Sequence, residues 1–112
     1  MSDVIEMKYD ISKELLSAVL DEPVGLVEGV FNNNLYFKSD SETSMVRMIN
    51  IFELMFHFKS WANTNGYMIW SSACTIIVEN KKDLHKRTFT GKDEIEGIVQ
   101  ACEFILGEID GK

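Results

Sequence analysis

Thr90-Gly91-Lys92-Asp93-Glu94-Ile95-Glu96-Gly97-Ile98-Val99-Gln100-Ala101-Cys102-Glu103-Phe104-Ile105-Leu106 is the stretch that decides the fold class. Ile95, Ile98, Val99, Cys102, Ile105 and Leu106 recur at helical spacing on one stripe, while Glu94, Glu96, Gln100, Glu103 and Glu108 fall largely outside it. The spacing predicts an amphipathic helix that lays its apolar side on a sheet and turns an acidic side outward. Thr90 is placed to cap the first turn, with Asp93 answering it three residues on.

Upstream, a first helix is expected over residues 11–21, capped by Asp10 or Ser12 and closed by Pro23. A hairpin follows: Gly25 to Phe31, a turn at Asn32-Asn33-Asn34, then Leu35 to Lys38. Asparagine tolerates the left-handed backbone that such turns need. Strict alternation puts Val27 and Phe31 on one face of the first arm. Ser39 to Thr43 reads as a polar loop. Residues 45–49 are compatible with strand or helix, and strand is preferred, because Asn50 and Glu53 form a capping box that opens a helix at Ile51. That helix runs to about Asn65 and stops at Gly66. Its Phe52, Met55, Phe56 and Phe58 cover more than one stripe, so it is either buried on two sides or offers its surplus face to another molecule, a second copy included. Tyr67 to Ser72, Cys74 to Glu79 and Arg87 to Thr90 complete a meander, with its first reversal near Ser71-Ser72-Ala73.

The order is helix, hairpin, strand, helix, three strands, helix. It predicts an α+β fold, a small antiparallel sheet with three helices in one domain over residues 1–112, with 1–8 and 108–112 as looser ends. An apolar share of 46% supports a packed core rather than disorder. The chain begins with acids and has no long apolar run, so a cytoplasmic location with no membrane contact is expected.

Net charge is −7 and is unevenly spread. Residues 1–54 hold ten acids and four bases, residues 55–92 two acids and six bases, and residues 93–112 six acids and one base. Such bipolarity favours oriented docking on a protein over direct nucleic-acid binding. The acidic helices suggest a contact surface at Asp10, Glu14, Glu94, Glu96 and Glu103 for a partner with a basic surface. The basic run from Lys81 to Arg87 offers Lys81, Lys82, Lys86 and Arg87 to a phosphate, with Trp70 as an aromatic neighbour for a small ligand.

Chemistry is harder to find. Glu53 and His57 sit four apart, which fits a helix-surface ion pair better than half a metal site. Two cysteines without CxxC spacing read as free thiols, and Ser71-Ser72-Ala73-Cys74 lacks the context of a nucleophile elbow. No Gly-rich phosphate loop occurs. No catalytic residue, metal or cofactor is therefore expected.

Asn50-Ile51-Phe52-Glu53-Leu54, Lys59-Ser60-Trp61-Ala62, Gly66-Tyr67 and Ala101-Cys102-Glu103-Phe104-Ile105-Leu106 together resemble a pattern in small phage- and prophage-encoded proteins of unknown function. The likeness covers roughly residues 50–106. It departs where Lys92-Asp93-Glu94 replaces the acidic-proline approach to the last helix. The resemblance implies a mobile-element setting, in which small acidic proteins inhibit host nucleic-acid-handling defence complexes, CRISPR ribonucleoproteins among them, by protein contact. An immunity protein or antitoxin covering a basic nuclease toxin is the second reading. A nucleotide-binding or sequestering protein is the third.

Overall fold

The three expected helices form, each opened by a side-chain cap. In a computed structural model describing residues 9–39 and 45–111, α1 (Lys13–Leu20) starts at Ser12, whose hydroxyl accepts from Leu15 N–H at 3.1 Å. At α2 (Ile51–Thr64), the Asn50 side chain accepts from Phe52 N–H at 2.9 Å and Glu53 N–H at 3.3 Å. The cap of α3 (Glu94–Asp110) is Asp93, not Thr90: Asp93 accepts from Glu96 N–H at 2.9 Å, and Glu96 accepts from Lys92 N–H at 2.6 Å. The box is shifted by three residues because Asp93, in extended backbone, is the one whose carboxylate reaches the free amides.

The α+β class and the element order hold. The strands are β1 (Leu26–Phe31), β2 (Asn34–Lys38), β3 (Val46–Asn50), β4 (Tyr67–Ser72), β5 (Thr75–Asn80) and β6 (Lys86–Thr90). They form two three-stranded antiparallel sheets, ordered β1-β2-β3 and β4-β5-β6, with α2 between them in sequence. The ambiguous stretch before Asn50 is strand. The expected loop at 40–43 and the N-terminal residues 1–8 lie outside the described residues.

The chain divides into two units, residues 1–54 and 55–112. In the first, β1 and β2 are joined by Asn32 and Asn33 at φ 54° and 64°, a two-residue left-handed turn matched to strand twist. Asn34 already belongs to β2. The buried side chains are Tyr9, Ile11, Leu15, Leu16, Val24, Val30, Leu35, Phe37, Ile51 and Leu54.

In the second unit α3 packs across β4, β5 and β6. Its buried face comprises Gly97, Ile98, Val99, Ala101, Cys102 and Ile105, so Ile95 and Leu106 flank the stripe. Gly97 lets the helix approach β5 closely: a Cβ there would lie 2.5 Å from Ile76 Cγ1. The β4–β5 reversal is at Ala73 and Cys74, one step later than expected, with Ala73 at φ 55°. Ser71 and Ser72 are paired strand residues.

Candidate functional site

Strand register assigns the two faces of the first sheet. Val27 lies opposite Phe37, Val30 opposite Leu35, and these continue across to Arg47 and Ile49 on β3. This is the buried face. Leu26, Phe31, Tyr36, Val46 and Met48 occupy the other, together with Gly29, Asn34, Lys38 and Asn50. Leu26 and Phe31 are each 47% exposed, Val46 49% and Met48 61%. Scattered exposed apolar residues are ordinary on a folded chain; here four share one face, on the two outer strands, with Tyr36 of β2 between them.

A bulge adds Phe31 to this face. The β1–β2 register shifts between Val27 and Gly29, and Gly29 adopts φ 144°. The extra residue, Glu28, inverts the alternation downstream. Val27 and Phe31 therefore lie on opposite faces, where strict alternation had placed them together. Val30 takes the inward position and Phe31 is turned out.

Arg47 is the charged residue of β3, and it is held on the inner side. Its guanidinium pairs with Glu22 and lies 5.1 Å from the centre of the Phe37 ring. The hydrogen bond and charge of Glu22 push its pKa up further.

The five acidic residues expected at a partner surface are distributed between the units. Asp10 and Glu14 are exposed in the first. In the second, Glu94 accepts from the Ser71 hydroxyl at 2.6 Å and lies 3.9 Å from Lys59 Nζ, while Glu96 is engaged in the α3 cap. Glu103 is half-buried. Glu94 and Glu96 thus serve local structure.

The basic loop is ordered by its own hydrogen bonds. Asn80 C=O accepts from Leu84 N–H at 2.7 Å, Asn80 Oδ1 from Lys82 N–H at 2.8 Å, and Asp83 Oδ1 from His85 N–H at 2.9 Å. Lys81 Nζ donates to Asn63 Oδ1 at 2.7 Å. Lys81 and Lys82 border an open hollow of about 580 Å³ with Tyr67 and Glu108, and Arg87 borders an adjoining one of about 100 Å³. Lys86 borders neither of these. Trp70 is not the aromatic neighbour of this loop: it lies on the other face of β4 and donates to Glu79 at 3.4 Å. Tyr67 and Phe104 take that place, with Arg87 4.6 Å above the Phe104 ring. Burial raises the Tyr67 pKa, and Glu108 and Asp83 add to the shift. The two carboxylates beside the bases make the hollow a mixed-charge site rather than a phosphate cradle.

Cys102 is buried, its thiol 3.9 Å from Phe58 C=O, and burial pushes its pKa up, away from the thiolate. His57 is half-buried, with its ring 6.1 Å from that of Phe56. Among the described residues no three His, Cys, Asp or Glu side chains are grouped to hold a metal ion, and no helix is long and apolar enough to cross a membrane.

Comparison with family models, curated proteins and solved structures finds no match for the chain.

Proposed function

We propose that this chain is a non-catalytic binding protein that works by contact with another protein, and that its working surface is the outer face of the first sheet. One observation carries the reading: Leu26 and Phe31 on β1 and Val46 and Met48 on β3, each about half exposed or more, share one face of the sheet, on either side of Tyr36 on β2. Leaving such a patch in water forgoes on the order of 25 cal/mol per Å² of apolar area, so a covering partner gains that amount. The acidic remainder of the chain, at net charge −7, steers approach toward a basic partner. The apolar face holds what the charge delivers.

The phage-protein resemblance over residues 50–106 directs the choice of partner to a host nucleic-acid-handling defence complex. In bacteria carrying an active CRISPR nuclease complex, expression of the chain is expected to restore plating of a targeted phage. Leu26→Glu with Phe31→Glu is expected to abolish that rescue while the purified variant keeps its circular dichroism spectrum. Unrestored plating across a panel of such complexes removes the defence reading. Full rescue by the double variant removes the face.

A further inference from the structure

Among the described residues the first sheet has two outer edges, and they are built differently. β1 carries the bulge at Glu28 and a charged side chain at the irregularity, both of which discourage another strand from pairing. β3 has neither. Its register against β2 is regular from Asn34–Asn50 to Lys38–Val46, it contains no proline, and its charge is drawn inward to Glu22 and Phe37. Val46, Arg47, Met48 and Asn50 are all exposed.

The ladder fixes which backbone groups face outward. Ile51 N–H donates to Asn33 C=O at 2.8 Å, continuing the β2–β3 pairing by one position. Antiparallel bonding alternates from there, so Arg47 and Ile49 direct their N–H and C=O groups to β2. Those of Val46, Met48 and Asn50 point to the outer edge. A strand with an odd number of residues and its middle residue facing outward is self-complementary about a twofold axis.

We infer that β3 pairs antiparallel with β3 of a second copy, centred on Met48, to join the two first sheets into one six-stranded sheet. Met48 exchanges N–H···O bonds with Met48 of the second copy, and Val46 lies opposite Asn50 on each side. Arg47 faces Ile49 of the other copy, so no like charges are opposed. The same register carries Met45 of one copy to the start of α2 in the other, where Phe52 stands. Met45 is 84% and Phe52 60% exposed. Edge pairing leaves Val46 and Met48 on the open face of the joined sheet, beside their counterparts from the second copy. An edge that is uncharged on its pairing side is also where a chain of net charge −7 meets a copy of itself with least repulsion.

The pairing does not require the proposed defence partner, although it would double the apolar face offered to one. Light scattering on the purified chain is expected to give twice the 12.8 kDa of one copy. Met48→Lys places two ammonium groups at the twofold axis and is expected to return a folded monomer. Met48→Pro removes the outward N–H without touching the β2–β3 ladder and is expected to do the same. A monomeric wild-type chain up to its highest soluble concentration overturns the inference, as does a Met48→Lys chain that stays dimeric. Leu26→Glu with Phe31→Glu is expected to remain dimeric, which separates failure of this pairing from failure of the contact face.

Discussion

β3 and β6 are edge strands with the same exposure pattern and opposite chemistry. Each presents three exposed residues, one half-buried and one exposed. Each has arginine second, with its guanidinium over a phenylalanine ring: Arg47 on Phe37 and Arg87 on Phe104. The positions on the other face differ. β3 sets Val46, Met48 and Asn50 there, while β6 sets Lys86, Thr88 and Thr90. Lysine at an edge must leave water before another strand can pair, which is a common device against association. On the pairing inferred above, two strands of one design would carry contrary instructions, with lysine keeping β6 single and β3 left to be covered.

The sharpest way to break this contrast is to show that the two faces of the first sheet are not distinct. Phe37→Ala, on the buried face, is expected to cost about 3–5 kcal/mol in urea unfolding, whereas exposed Phe31→Ala should change stability by less than about 0.5 kcal/mol. Equal losses at both would mean that the outer face is packed. In the second sheet, the face under α3 is so closely met that Gly97→Ala should destabilise by about 1–3 kcal/mol through its clash with Ile76. A neutral result, read by the same unfolding, would show that α3 can ride outward. The smallest effect on stability, within about 0.5 kcal/mol, is expected from Lys86→Val with Thr88→Met, which gives β6 the outward chemistry of β3. Sedimentation should then reveal new association in a Met48→Lys background. Continued monomer would mean that edge chemistry alone does not govern pairing here.

Much of the fold was legible because its signals are local. Ser12 and Asn50 announce helix starts through one hydroxyl or amide reaching amides two or three residues away, whereas the cap of α3, expected at Thr90, is Asp93. Asn32-Asn33 announces a hairpin through backbone preference alone. The candidate surface was not legible in the same way. Counting alternation along β1 places Phe31 with Val27, and only the bulge at Glu28, a property of β1 paired to β2, puts them on opposite faces. The acids of α3 illustrate the same limit. Glu94 and Glu96 stand outside the apolar stripe in sequence, yet Ser71 and the Lys92 amide engage them.

The residues by themselves determined helix existence, the asparagine turn of the first hairpin, the α+β order and the acidic balance, because each depends on neighbours within a few positions or on simple counting. Tertiary structure alone decided that six strands make two sheets, that Tyr67 rather than Trp70 joins the basic loop, and that the first sheet has an apolar outer side. Those outcomes turn on register between distant segments. A one-residue slip there sends a side chain from the core to water, and no short window of sequence records it.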